Sequence, residues 1–203
     1  MVKSIINELS SSTFERAISD VCSSLDSMAR QLDKPKPIIN IVGGDAPVKK
    51  EGIGLLNNVF THLLRNSMDH GIESAQERIL VDKDEHGLIN ISVDQKDRFF
   101  VISVKDDGRG LNLDMLRSKG LELGAIRADE EPSYEQLAAL IFESGLSTKE
   151  EVTSISGRGV GMDAVKSFIE EKGGDVSINV LDGVEVRGYI HFEIIIRLPF
   201  GLV

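Results

Sequence analysis

His62, Asn66, Asp69 and His70 stand close together in the run HLLRNSMDHGIE at 62–73. On a helix turning about 100° per residue they fall within an arc of roughly 100°, beside an apolar side carried by Ile53, Leu56, Phe60, Leu63 and Leu64. The amide oxygen of Asn66 suits a hard cation such as Mg²⁺, which keeps several waters and draws other ligands from phosphates. His62, one turn earlier, could orient or accept a proton from a water or hydroxyl near a terminal phosphate. Taken alone, such a face more often provides caps and surface hydrogen bonds. A zinc pair of His62 and His70 is disfavoured by its two-turn spacing.

Two further clusters follow in order. DDGRG at 106–110 ends a strand, and a carboxylate there, Asp106 by the Asp-x-Gly-x-Gly spacing, can accept from the exocyclic amine of adenine while Gly108 and Gly110 let the chain lie against the base. Asp-Gly pairs alone mark turns far more often than ligands. In SGRGVGMD at 156–163, Gly157, Gly159 and Gly161 alternate immediately before an amphipathic helix beginning near Val160. Unhindered peptide N–H groups at a helix start make an anion site, to which Arg158 adds one cation. The spacing is not that of a P-loop, and no βαβ unit surrounds it. Phe142 to Thr148, which includes Ser147, reads equally as a lid over bound nucleotide or as an ordinary surface loop. Each cluster is weak alone, but metal ligands on a helix, a carboxylate at a strand's mouth and a glycine loop together are what an ATP·Mg²⁺ site requires.

Elements must bring these clusters together, and the chain of 203 residues, 41% hydrophobic and 28% charged, is long enough for one substantial core. A formal charge of −10 weighs against a nucleic-acid partner. The single cysteine, Cys22, excludes an internal disulfide and fits a reducing compartment. No basic-then-apolar leader is visible, and the apolar stretches near 189–200 fall short of the roughly 20 residues of a spanning helix. A cytoplasmic location without direct membrane insertion is therefore expected.

Phe14, Ile18, Val21, Leu25, Met28 and Leu32 form a helical stripe behind a Ser12/Glu15 capping box, buried either in this domain or on a partner helix. Residues 1–34 are read as a helix leading into a domain at 35–203. Within it the sequence predicts a strand at 38–42, a helix from about Lys49 to His70 capped by Gly71, and a hairpin of 88–94 and 98–105 turning at Gln95-Lys96-Asp97. Helices at 113–123, 134–142 and 160–172 and strands at 175–181 and 187–198 follow. This order implies an α/β (α+β) two-layer sandwich, with helices on one face of a mixed, mostly antiparallel sheet.

HLLRNSMDHGIE, DDGRGL, IFESGLST and SGRGVGMDAVK, in that order, resemble the N, G1, F and G2 boxes of GHKL ATP-binding domains, and most nearly those of chemotaxis-type (CheA-type) histidine kinases. The similarity spans roughly 25–199. It implies the Bergerat fold, with Asn66 as Mg²⁺ ligand, His62 as the catalytic or orienting residue and Asp106 as adenine partner. The implied nucleotide contacts also include Asp69, His70, Gly108, Gly110, Arg158, Val160 and Met162, with the 157–161 loop on phosphate and Phe142 to Thr148 in the lid. The resemblance further implies ATP as substrate and a phosphoacceptor histidine on a separate phosphotransfer domain. Response-regulator and receptor-coupling partners, and a dimer in a full-length protein, follow from it too. Where kinases of this group carry Gly-Thr-x-Phe before the last strand, this chain reads Arg187-Gly188-Tyr189-Ile190-His191-Phe192. That departure keeps open an alternative, a degenerate scaffold that docks a response regulator or phosphotransfer protein without using ATP. An ATPase or serine kinase is less consistent, because Glu is expected where His62 stands.

Overall fold

The computed structural model describes residues 11–146, 161–181 and 188–201. In chain order, β1 (Ser11–Thr13), α1 (Phe14–Ala17) and α2 (Ser19–Gln31) lead to β2 (Ile38–Val42) and β3 (Pro47–Lys49). The long α3 (Lys50–Asn66) runs into a π-type turn (Ser67–Gly71) and the short α4 (Ala75–Ile79). After β4 (Leu88–Lys96), β5 (Phe99–Asp106) and β6 (Leu111–Asn112) come α5 (Leu113–Glu122), α6 (Tyr134–Ala139) and a 3-10 turn (Leu140–Phe142). Last come α7 (Met162–Glu170), β7 (Asp175–Val180), β8 (Tyr189–Ile190) and β9 (Phe192–Pro199).

Five strands pair in the order β2-β4-β5-β9-β7, antiparallel except for the parallel pair β2/β4. Side chains alternate across a strand, so Ile89, Ile91, Val93, Phe100, Ile102, Val104, Ile194 and Ile196 share one buried face. Against it lie Leu56, Phe60, Leu63 and Leu64 of α3 and Val165 and Ile169 of α7. Each such side chain stabilises the fold by about 1.5–3 kcal/mol on burial. The opposite face carries Ser92, Asp94, Lys105 and Arg197, so the helices occupy one side, as expected. A second cluster, including Leu113, Leu116, Leu137, Leu140 and Ile190, sits under α5 and α6.

Several boundaries differ from the sequence reading. The first helix is broken at Ile18, and its cap is Thr13, whose Oγ1 accepts from the Arg16 N–H at 3.3 Å, not Ser12. Its stripe is settled as intradomain: Phe14, Ile18 and Leu25 are buried in the main core, with Val21, Met28 and Leu32 against it. The β4–β5 turn is the pair Asp97-Arg98, with φ of 50° and 70°. A two-residue turn with both φ positive matches strand twist, and no Asn-Gly advertised it. The last predicted strand is two: β8 pairs with β6, while β9 pairs with β5 and β7. No helix among the described residues is long and apolar enough to cross a membrane.

Candidate nucleotide site

The long helix ends as an α-helix at Asn66, four residues before the expected His70, and widens into the π-type turn. There the Ile72 N–H donates to the Ser67 carbonyl at 2.7 Å. Widening the turn places the Ser67 hydroxyl 2.7 Å from Asp106 Oδ2, at the end of β5. The Gly108 N–H donates to Asp106 Oδ1 at 3.0 Å. Asn66 is therefore one residue from a side chain bonded directly to the acid of the second cluster.

Glycine is required at this junction by space. A Cβ on Gly71 would lie 2.9 Å from both Asp106 carboxylate oxygens, and one on Gly108 would lie 2.3 Å from the Gly71 carbonyl. Gly71 does not have the positive φ of a left-handed helix cap, the role its position predicts. Gly110 does have positive φ, at 83°, and a Cβ there would meet the Ile190 carbonyl oxygen at 2.4 Å. The departing segment at 188–190 thus forms the wall beside the Asp-Asp-Gly-Arg-Gly loop.

Burial pushes the Asp106 carboxyl above the usual carboxylate range, against the Ser67 and Gly108 hydrogen bonds, with the charges of Asp107 and Glu73 adding to the rise. Holding this group ionised has a free-energy cost that a ligand N–H placed against it would offset. His62 is half-buried, its ring 6.2 Å from that of Phe168 in α7. Burial, with the charge of Arg65, pushes its imidazole below its ordinary range. The neutral, proton-accepting form is therefore the one held near neutral pH.

Asn66 is half-buried, and its side chain has no hydrogen-bond partner among the described residues. Also among the described residues, no group of three or more His, Cys, Asp or Glu is placed to hold a metal ion. A single neutral oxygen fits Mg²⁺ that takes its remaining ligands from phosphate and water. Asp69 is half-buried and His70 exposed, and the Lys34 ammonium caps the turn by donating to the carbonyls of Met68 at 2.6 Å and Ile72 at 2.8 Å.

Phe142 is buried in the main core and so anchors the root of the segment read as a lid. Met162 is buried there too, so its peptide N–H, not its side chain, is the group available to a phosphate. Gly161 is the extended N-cap of α7 and makes no side-chain cap bond, while the Ala164 N–H in the first turn donates to Asp163 Oδ1 at 2.9 Å, which leaves the Met162 and Asp163 peptides as the ones facing a ligand. Ser147, Thr148, Gly157, Arg158, Gly159 and Val160 lie outside the described residues.

Sequence reasoning passed over the network behind the acid. Arg78, 0% exposed, pairs with Glu73 at 3.1 Å and with Asp107 at 2.8 Å. Lys83 pairs with Glu73 at 2.9 Å and donates to the carbonyls of Asp107 and Gly108. Burial raises the Glu73 carboxyl, but the Lys83 hydrogen bond, a backbone hydrogen bond and the charges of Lys83 and Arg78 together outweigh it and hold the group below its usual range. The five-residue spacing of Glu73 and Arg78 is no helical pair. The visible signal was the Ser74/Glu77 capping box, which starts the helix that carries Arg78.

The family described as "Histidine kinase-, DNA gyrase B-, and HSP90-like ATPase" matches residues 53–201. The chain is 38% identical over 161 residues to "Chemotaxis protein CheA" of Bacillus subtilis, covering 77% of this chain and 24% of that protein. To the protein of the same name in Klebsiella aerogenes it is 41% identical over 141 residues, 70% of this chain and 22% of the other. With "Gliding motility regulatory protein" of Myxococcus xanthus it shares 37% over 177 residues, 86% and 22%. The chain thus spans about a quarter of the length of these relatives. Among solved structures, the catalytic domain of histidine kinase ThkA superposes with a TM-score of 0.54 at 15% identity, covering 93% of each chain. The mycobacterial sensor histidine kinase MprB gives 0.51 at 15%, covering 93% of this chain and 95% of that one. These last two establish the fold. The chain belongs to the histidine kinase-, DNA gyrase B-, and HSP90-like ATPase family.

Proposed function

We propose that the chain is the ATP-binding catalytic domain of a chemotaxis-type histidine kinase, which passes the γ-phosphoryl group of ATP to a histidine on a separate phosphotransfer domain. The observation that carries this reading is the Asp106 carboxylate, held between the Gly108 N–H and the hydroxyl of Ser67, the residue after Asn66 in the chain. Similarity to CheA proteins over most of the chain supports it.

In this reading Asp106 accepts the adenine amine, while Gly71 and Gly108 leave space for the base. Asn66 contributes the protein oxygen to Mg²⁺, which when bound neutralises phosphate charge. His62, held neutral, orients or deprotonates at the reacting end. The Met162 and Asp163 N–H groups, with the 157–160 loop, receive phosphate. Catalysis is then mainly positioning and charge neutralisation. A cytoplasmic setting, response-regulator and receptor-coupling partners, and a dimer in a longer protein belong to the same proposal. The nested acid argues against a scaffold that never meets nucleotide, because among the described residues no structural partner uses its remaining acceptor capacity.

Incubation with γ-labelled ATP, Mg²⁺ and a chemotaxis phosphotransfer domain tests the reading, and label on that domain's histidine is the expected result. Nucleotide binding without any transfer would remove the kinase assignment. The depressed His62 also predicts a pH dependence. Its neutral form persists below its ordinary value near 6.5, so the acid limb of the transfer rate lies below that pH, and His62→Gln abolishes that limb. An unchanged limb in the variant would show that another group titrates.

A further inference from the structure

Asp106 and Asp107 are neighbouring carboxylates, yet the structure gives them unlike tasks. Every N–H of the Arg78 guanidinium is used. Nε donates to the Asp84 carbonyl at 2.6 Å, Nη1 to Glu73 Oε2 and Asp107 Oδ1 at 3.1 Å each, and Nη2 to Asp107 Oδ2 at 2.8 Å and the His86 carbonyl at 3.3 Å. Asp107 Oδ1 also accepts the Leu88 N–H at 2.8 Å. With about four acceptor positions on a carboxylate, Asp107 is nearly saturated. Among the described residues Asp106 receives only the Ser67 hydroxyl and the Gly108 N–H, so about half its capacity remains for a ligand.

We propose that Arg78 is a specificity-determining positioning residue. By committing Asp107 to its fork, it leaves Asp106 as the acceptor that faces the base and so sets the preference for a 6-aminopurine over a 6-oxopurine nucleotide. The inference rests on the ATP-site reading above. A planar guanidinium with a fixed fork grips a carboxylate through two parallel bonds, which an ammonium cannot reproduce. The grip acts at a distance from the ligand: α4 carries Arg78, and Asp107 lies between it and Asp106. Lys83 reinforces the arrangement by holding the carbonyls of Asp107 and Gly108 at 2.8 and 3.0 Å.

Calorimetric titration of the chain with ATP·Mg²⁺ and with ITP·Mg²⁺, which carries the same triphosphate on a 6-oxopurine, tests the proposal. Arg78→Lys is expected to weaken ATP by about tenfold or more, the scale of a lost charged hydrogen bond, while ITP changes less than about twofold. The ATP/ITP affinity ratio therefore falls toward one. A role in fold stability alone would weaken both nucleotides together, and an unchanged ratio overturns the proposal. Asp107→Asn preserves volume and one acceptor for Arg78, so it serves if the first variant does not fold, and the same fall in ratio is expected. Wild-type chain that binds neither nucleotide sinks the ATP reading itself, an outcome distinct from a binding chain whose ratio ignores Arg78.

Discussion

Asn66→Ala is expected to slow Mg²⁺-dependent phosphoryl transfer by a factor on the order of 10²–10³, the scale seen when one preorganised electrostatic group is removed from a reaction centre. The loss should be confined to function. Asn66 is the last residue of α3, with helical φ of −62° and ψ of −42°, and alanine is the better helix former there. Its side chain holds no hydrogen bond among the described residues, so truncation breaks none of the described contacts. Single-turnover transfer measured across a Mg²⁺ titration separates the effects. The variant should need more Mg²⁺ and remain slower at saturation, with its melting temperature within a few degrees of wild type. Transfer within about threefold of wild type, a barrier change well under 1 kcal/mol, would remove Asn66 from the metal.

Gly108→Ala should weaken ATP binding by more than about tenfold and also lower stability. The added methyl would sit 2.3 Å from the Gly71 carbonyl carbon and oxygen and 2.8 Å from Asp106 Oδ1. Two of these neighbours are backbone and cannot rotate away, so the strand end and the helix turn must separate. Overpacking of this kind typically costs about 1–3 kcal/mol, or a fall of several degrees in melting temperature for a domain of this size. The same separation spreads Asp106 from Ser67, which links the stability loss to the affinity loss. Thermal melts with and without ATP·Mg²⁺ report both. A Gly108→Ala variant that nucleotide stabilises as much as wild type would show that the close approach is incidental.

Much of the site was legible because its residues follow one another on regular elements. His62 and Asn66 share a helix face, and period-2 alternation placed Asp106 at a strand end. What was hidden depends on contacts between distant segments. Ser67 looks like any small residue inside a helix until the widened turn brings it to Asp106, 39 positions along the chain. Gly71 reads as a helix cap because sequence carries φ preferences but not the approach of a second chain segment. Arg78 lies in a charged stretch that carries no recognisable site motif, and only folding shows it wholly buried between Glu73 and Asp107. The fold class was legible for a related reason: the strands and the β4/β5 hairpin follow from alternation and a short connection, whereas the order β2-β4-β5-β9-β7 joins strands far apart in the chain and does not. Nor does the β6/β8 pair, which splits the last predicted strand at His191.

An ¹⁵N-resolved NMR titration of the chain with ATP·Mg²⁺ would test most directly whether one nucleotide is received where Asn66, Asp106 and the start of α7 are placed. The largest and saturable shifts are expected at the amides of Gly71, Gly108, Gly110 and Met162. A small groove of about 300 Å³ lined by Glu15, Ser19, Cys22, Ile39 and Ile41 should stay silent. Saturable shifts at that groove with none at Gly71 and Gly108, or no shifts at all at millimolar nucleotide, would contradict the account.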